Sequence, residues 1–561
     1  MRPASTQRTF DYIVVGGGSA GSILASRLSE RSDRTVLLLE AGGWDRNWLL
    51  RVPFGVAKAW NDSRWNWCYR SAPEPGLGGR VLFHPRGKVI GGSGSINMMA
   101  FVRGHPRDYD AWARSGLTDW SWDRVLPYFR RLEEFADGES ETRGTSGPIK
   151  VARRDGDDAL VGAWLRAGEH AGHSFNPDYN GDRQDGVGVI QSNMGSGRRQ
   201  SSAARYLRPA QRRPNLAVET NAEAHRLVIE ARRVRGVAYE RDGQEFTSLA
   251  AREVILCAGA YNTPKLLLLS GIGPGDHLRE HGVPVVLERP EVGRNLQDHP
   301  ATLIEHAAAT PTRFHRDLRW DRLAANFLRA QVLRSGPAAR SLALGMAFLK
   351  SDPRLERPDI QIIFRPFARD AHPWFPGLAA PFEDRLGFVV CHLRPRARGE
   401  VRLESPSHRD SPVILNRFFE TRDDLAAIRA GVRLAREIAR QAPFANILKE
   451  EALPGSSISS DIEIDAYIRA TATTLFHPCG TCRMGVDADS IVDESLRFRG
   501  LERLRIADAS VMPTLVGGNI NACVMMIADA CWRAAISPSM SLAARSAAMR
   551  SCVLAASSFA L

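Results

Sequence analysis

The stretch Phe10-Asp-Tyr-Ile-Val-Val-Gly16-Gly-Gly18-Ser-Ala-Gly21 sets the architecture of the first domain. Its first half is an apolar, β-branched run of the kind that forms a strand buried on both faces. Three glycines follow at once, and Ser22 to Ser29 then reads as a helix with Ile23, Leu24 and Leu28 on one side. A second apolar strand, Thr35 to Leu39, ends at Glu40, which completes a βαβ unit. Each glycine has a distinct job in such a unit. Gly16 permits the tight turn, Gly18 lets a pyrophosphate approach the backbone, and Gly21 lets helix and strand pack closely. The helix N-terminus offers free N–H groups to the diphosphate. Glu40 stands where a carboxylate can accept from ribose hydroxyls, and its charge disfavours a 2′-phosphate. NAD and FAD both remain open from these residues.

The surrounding composition is ordinary for a folded enzyme. The chain has 561 residues, 43% hydrophobic and 25% charged, which excludes wholesale disorder and implies several domains. The net charge is +12, and of 75 cationic residues only six are lysine. A basic excess suits nucleic acid or an anionic membrane. No recognisable nucleic-acid module is present, so no nucleic-acid partner is expected. Eight cysteines are too few for a disulfide scaffold. No signal-like stretch precedes Phe10, and no run is long and apolar enough to span a bilayer. The expectation is a reduced, cytoplasmic protein, with peripheral contact at the inner membrane face as the alternative.

Farther along, Leu216 to Thr247 alternates like antiparallel strands with a hairpin at Asp242-Gly243. Arg252 to Ala258 is another buried strand that leads into a helix, and Asp423 to Arg440 is a helix. Asp317 to Ser335 reads as a helix stopped by Gly336-Pro337. Trp320, Leu323, Phe327 and Leu328 give it an apolar side, and Arg316, Arg319, Arg322, Arg329 and Arg334 give it charge. The favoured reading is a helix packed over the substrate side with arginines reaching to water. The alternative is a basic amphipathic helix on an anionic membrane. Pro538 to Leu561 reads as a tail.

Four further motifs narrow the choice. They are Pro85-Arg-Gly-Lys-Val-Ile-Gly-Gly-Ser-Gly-Ser-Ile-Asn97 with Asp108-Tyr-Asp-Ala-Trp112, Gly259-Ala-Tyr-Asn-Thr-Pro through Pro274, Val292-Gly-Arg-Asn-Leu-Gln-Asp-His299, and a C-terminal block. That block holds His477-Pro-Cys-Gly-Thr-Cys-Arg-Met-Gly485, Arg505 to Pro513 and Gly518-Asn-Ile-Asn521. In this order, from Phe10 to about Ala530, they resemble the glucose–methanol–choline (GMC) oxidoreductases, FAD enzymes, in their choline-dehydrogenase-like and aliphatic-alcohol-dehydrogenase branch.

The resemblance implies an α/β fold. A Rossmann-like FAD-binding domain would be joined to a discontinuous α+β substrate-binding domain built on an antiparallel sheet. Residues 8–309 would form the FAD part with some substrate-domain insertions, 310–472 the substrate domain, 473–537 the catalytic return, and 538–561 the tail. It further implies that FAD meets Gly16, Gly18, Ser19, Ala20, Gly21, Glu40 and Ala41 at its diphosphate and ribose. Gly91, Gly92, Ser95, Asn97, Met98 and Ala100 would lie along the flavin, Ala224 at adenine, and Asp508, Ala509 and Asn519 at the remaining contacts. Ile96 stands where some members carry a flavin-linked His, so dissociable FAD is expected.

Alcohol oxidation requires a base for the hydroxyl proton and an acceptor for the hydride. His477 matches the family's catalytic His, and a second residue should hold the alcohol oxygen. Asn521 is chosen for that role over Asn519, which is given a supporting place on the flavin side. His84, His105 and His299 are read as structural. Cys479-x-x-Cys482 lacks a second ligand pair, so no metal is expected. Phe364, Phe367, Trp374 and Phe375 are candidate pocket aromatics, and no acid stands out as a partner for a quaternary ammonium. The expected reaction is oxidation of a primary alcohol to an aldehyde, with an external acceptor other than NAD. An oxidase that reduces O₂ to H₂O₂ is the first alternative, and a non-redox FAD-containing lyase on the same fold the second. Oligomeric state is left open.

Overall fold

In a computed structural model of the chain, residues 8–154 and 158–536 are described; the proposed tail lies outside them. In chain order the elements that position the site are β1 (Arg8–Val15), α1 (Ser19–Leu28), β2 (Val36–Glu40), β3 (Gly186–Val189), β4 (Leu216–Thr220), β5 (Ala222–Glu230), β6 (Arg233–Arg241), β7 (Gln244–Leu256) and α2 (Gly259–Leu269). They continue with β8 (Pro300–Ala308), α3 (Trp320–Val332), β9 (Gly345–Leu349), β10 (Ile360–Arg365), β11 (Arg385–His392), α4 (Arg422–Ala439), β12 (Leu448–Leu453), β13 (Thr473–Thr474), β14 (Leu504–Ile506) and α5 (Asn521–Ile536).

The first sheet runs β4-β2-β1-β7-β6-β5, with β14 added on β7. Its centre is parallel, with Ile13 level with Leu37 on β2 and Val254 on β7. α1 packs against these strands and β5 lies close to β2 as well, and β2 is buried at every residue. α5 packs beside α1 and supplies Met525, Met526 and Ile527 to the same core. The distal strands β5, β6 and the start of β7 are antiparallel, and Asp242-Gly243 turns β6 into β7 as the sequence suggests.

The second sheet runs β12-β8-β11-β10-β9-β3, antiparallel throughout, with β13 on β8. It draws β3 and β8 from the N-terminal side of residue 310, so the substrate domain is interleaved with the first rather than a single insert. α4 buries Leu425, Ile428, Val432 and Ala435 against it. The opposite face carries Met346, Phe348 and Ile363 toward the first domain.

The helix expected at 317–335 is present as α3, starting three residues later than expected. Arg313–Asp317 is one short helix and α3 another, with Leu318 and Arg319 between them. The N–H of Trp320 bonds to the Trp374 carbonyl, which redirects the chain at that point.

Candidate active site

A long cavity runs between the two sheets, with roughly 2000 Å³ of space not filled by protein atoms, part of it open to solvent. One end is the β1–α1 turn. Gly16 has φ +98, and a Cβ there would stand 2.6 Å from the Cys257 carbonyl oxygen. At Gly21 a Cβ would meet the Gly16 carbonyl oxygen at 1.9 Å, so this glycine allows the helix to pack onto the strand. Gly18 differs: nothing but cavity lies within 3.4 Å of its notional Cβ. It is also the N-cap of α1 and provides no side-chain bond, so the first-turn N–H groups are left for a ligand. This is a cradle for an anion that needs close backbone approach, and the residues fit a dinucleotide's diphosphate.

Glu40 closes the same end. Its carboxylate oxygens accept from the Gly17 and Gly42 N–H groups, each at 2.8 Å. Burial pushes its pKa up from 4.5 to about 7, against those two bonds and the more distant Lys88 charge. A buried carboxylate with no ion pair among the described residues calls for further donors, and a dinucleotide's ribose hydroxyls would fit. The sign of the pH effect follows. Folding raises this pKa, so the FAD-free protein loses stability as pH rises from about 4.5 to about 7, by of order 3 kcal/mol from this group. Denaturant titrations of FAD-stripped protein should show that loss in wild type and not in Glu40→Gln; equal slopes would remove Glu40 as its source.

Residues 91–100 form the cavity's long wall. Gly91 and Gly92 both have positive φ, and the Gly91 N–H bonds to the Gly17 carbonyl, which clamps this loop to the cradle. Ser95 donates to the Ile90 carbonyl and holds the following turn. Behind the wall lies Arg199, a buried guanidinium that donates to the Gly94 carbonyl at 3.2 Å and the Asn97 amide oxygen at 2.5 Å. Asn97, Met98 and Ala100 then face the cavity.

At the other end stands His477. The hydrogen bonds fix its tautomer. His299 Nε2 lies 3.1 Å from the Leu393 carbonyl, which can only accept, so His299 Nε2 carries the proton. Burial drives the His299 pKa down to about 3 and keeps the ring neutral, so its Nδ1 is an acceptor. His477 Nδ1 lies 2.9 Å from that atom and must donate to it. Burial also holds the His477 pKa well below the usual range, assisted by the His299 ring and Arg86. His477 Nε2 therefore presents a lone pair. The Asn519 amide nitrogen is 3.1 Å from it, while the Asn519 oxygen accepts from Gln361 Nε2 at 3.2 Å, so the amide is held with its donors toward His477. Phe476, immediately before His477, has φ 67, a strained conformation for a bulky residue and of the kind found where a site is held in place.

Asn521 is elsewhere. It begins α5 and accepts from the Ser19 hydroxyl at 2.7 Å, which ties α5 to the cradle. It is Asn519, and not Asn521, that adjoins His477. The reason is local: Gly518 has φ +149, and the turn it makes sends the first Asn of the pair toward His477.

Of the residues expected at the cofactor, Gly16, Gly18, Ser19, Ala20, Glu40, Ala41, Gly92, Asn97, Met98, Ala100, Ala224, Asp508, Ala509 and Asn519 all line the cavity, as do His477 and Asn521. Gly21, Gly91 and Ser95 stand one layer behind it. The Asp508 carboxylate is engaged by the Gly259 N–H and the Thr263 hydroxyl, anchoring the N-terminus of α2. His299, read as structural, contacts His477 directly. The aromatic candidates are corrected. Phe364 stacks on Trp164 in the core of the second sheet, Phe367 stacks on Phe314, and Trp374 packs on His315. Neither they nor Phe375 reach the cavity. The wall around His477 is instead Trp60, Ile96, Ile190, Ala343, Ile363, Leu475 and Phe476. Cys479 and Cys482 are buried thiols whose pKa values burial raises, so both behave as core residues. Among the described residues, His277, Glu280 and His281 form a group with metal-like spacing. His277 Nε2, however, already accepts from the Leu403 N–H.

Residues 10–301 and 395–528 match two family models, both described as GMC oxidoreductase. The chain is 40% identical over 522 residues to an oxygen-dependent choline dehydrogenase of Brucella suis biovar 1, covering 92% of this chain and 94% of that one. It is also 40% identical over 513 residues to one from Rhizobium rhizogenes, covering 91% and 92%. Among solved structures, pyridoxine 4-oxidase from "Mesorbium loti" superimposes with a TM-score of 0.84 at 32% identity, over 93% of this chain and 98% of that one. A formate oxidase of Aspergillus oryzae gives 0.88 at 28% identity, over 96% and 100%.

Proposed function

The chain belongs to the GMC oxidoreductase family, and from that premise we propose that it oxidises an uncharged primary alcohol to an aldehyde, with His477 as the base and Asn519 as the second ligand of the alcohol oxygen. It is an FAD-dependent oxidoreductase of the alcohol/choline type. Bound FAD supplies the two-electron acceptor for the hydride that leaves the carbinol carbon. Ile96 offers no nucleophile for a covalent flavin link, so the cofactor is taken to be dissociable.

One observation carries this reading: the unprotonated His477 Nε2 stands 3.1 Å from the Asn519 amide, in an apolar pocket continuous with the dinucleotide cradle. An alcohol oxygen that displaces this Asn519–His477 hydrogen bond accepts from the Asn519 N–H and donates its proton to the freed Nε2 lone pair. Proton and hydride then leave in different directions, and His477 Nδ1–H keeps the ring oriented on His299 throughout. The surrounding apolar side chains exclude water and favour an apolar substituent on the carbinol carbon. The relatives carry choline in their names, but the pocket here argues against a cation. The acids that line the cavity are Glu40, Glu223 and Asp508. Glu40 and Asp508 are bonded into the dinucleotide end, and Glu223 faces Lys88 at 3.9 Å.

For the second half-reaction the reading is an acceptor other than NAD, such as a quinone. An oxidase is the second reading, favoured by the oxygen in the relatives' names and by two oxidases among the similar structures. Peroxide release during aerobic turnover distinguishes it from a dehydrogenase. The test of the proposal is an anaerobic flavin-reduction screen over linear alkanols, aromatic alcohols, polyethylene glycols and choline. Uncharged alcohols should bleach the flavin at far lower concentration than choline. With the best of them, Asn519→Ala should slow bleaching about a hundredfold, as for loss of an oriented donor to the reacting oxygen. Asn521→Ala should stay within about tenfold and act on FAD retention instead. Flavin that no alcohol reduces would leave the lyase reading standing, and a larger effect at Asn521 would restore the other assignment.

A further inference from the structure

α3 has two apolar sides, and only one is used. Leu323 and Ala330 are buried beneath it, and Phe327 packs edge-on against Trp48 at 5.2 Å. At steps of four residues, Trp320, Ala324, Leu328 and Val332 make a second stripe that faces out. Trp320 is 53% exposed, Leu328 and Val332 66% each, and Leu333 67%. The stripe continues off the helix. Trp320 bonds through its backbone to Trp374, and the turn after Trp374 carries Leu378, 85% exposed. Large apolar residues exposed together in this way mark a contact surface.

The charge around the stripe identifies its partner. Between residues 313 and 340 the acids are Asp317 and Asp321, and each is paired, with Arg313 and Arg319 respectively. Arg316, Arg322, Arg329, Arg334 and Arg340 are exposed and form no ion pair among the described residues. An isologous dimer would set this positive rim against itself, so a second copy is a poor match. A rim of arginine around exposed Trp and Leu suits a surface with apolar interior and anionic edge. We propose that α3, with the Leu378 turn, docks on an anionic lipid bilayer, lying in the interface plane. No helix among the described residues is long and apolar enough to cross a membrane, so this contact is peripheral. The inference rests on the surface alone and stands or falls apart from the proposed reaction.

Cosedimentation of the purified, FAD-loaded full chain with vesicles tests it. The wild type should pellet with phosphatidylcholine–phosphatidylglycerol vesicles and much less with phosphatidylcholine alone, and raised salt should weaken binding. Trp320→Ser combined with Leu328→Ser should cut the bound fraction about tenfold or more. Arg322→Glu should cost about fivefold or more, the effect of one cation at an anionic surface. All these residues are exposed, so the variants should retain FAD and flavin absorbance, which checks folding. Background-level pelleting of the wild type overturns the proposal, and so does binding that survives the double substitution. A wild type that ignores vesicles but self-associates, with the double variant monomeric in gel filtration, would give the face to a second copy instead.

Discussion

His477→Ala should slow substrate-driven bleaching of the flavin by about 10²–10⁴-fold, the range for loss of a positioned general base. FAD content should be unchanged, because the cradle at Gly18 and Glu40 lies at the far end of the cavity. The expectation rests on a proton inventory. Leu393 fixes the proton on His299 Nε2, His299 then accepts at Nδ1, and His477 is left with an unprotonated Nε2 at the cavity, facing the Asn519 amide. Removing the ring removes the only basic atom that faces the Asn519 amide among the described residues. A second substitution separates the base from its support. His299→Gln keeps a side chain able to accept from His477 Nδ1–H and should slow flavin reduction less than His477→Ala, by about tenfold. Stopped-flow reduction under anaerobic conditions reads both. Near-wild-type rates in His477→Ala would discard His477 as the base.

The sequence was most informative where the chemistry is local. The strand, the three glycines, the helix and Glu40 occupy one continuous βαβ unit, and spacing alone relates each glycine to its neighbour in space. The cavity's other end is assembled from distant segments, and there local spacing says little at two points. Asn519 and Asn521 are two residues apart, and only the backbone at Gly518 decides which one faces His477. His299 and His477, 178 residues apart in the chain, are joined by a side-chain bond beside the paired strands β8 and β13, and no local pattern reports such a pair. Of the aromatic candidates, Phe364 is kept from the cavity by strand parity. β10 turns Ile363 to the cavity and Phe364 to the core, and a strand's register sets that alternation. A hydrophobic period does reveal an amphipathic helix, but it could not show that α3 has a second apolar side left uncovered.

Gly18→Val should yield a folded protein that has lost its FAD, with affinity reduced by roughly two orders of magnitude or more. The four glycines around the cradle respond differently to a side chain, and that makes this substitution informative. A Cβ at Gly16 or Gly92 collides with backbone at 2.6 or 2.8 Å, on a positive φ in both cases, and one at Gly21 overlaps the Gly16 carbonyl oxygen. Substitution at those three disturbs the βαβ unit itself, and lost cofactor would follow trivially from lost structure. At Gly18 the nearest atoms to the new Cβ are the Cys257 carbonyl oxygen and the Gly92 Cα, both at 3.9 Å, and the backbone φ of −68 suits any residue. The glycine makes no side-chain cap, so replacing it costs the helix under about 1 kcal/mol. The free protein therefore has room for a Cβ at this position; a bound diphosphate would not leave it, because the added carbons occupy the space through which it would reach the first-turn N–H groups of α1. Far-UV circular dichroism and the denaturation midpoint of stripped protein should match wild type, while the purified variant lacks flavin absorbance. Gly18→Ala, with one carbon instead of three, should fall between the two. Normal flavin content in Gly18→Val would mean that the diphosphate does not cross the N-terminus of α1, and the cradle would have to be sought elsewhere along the cavity.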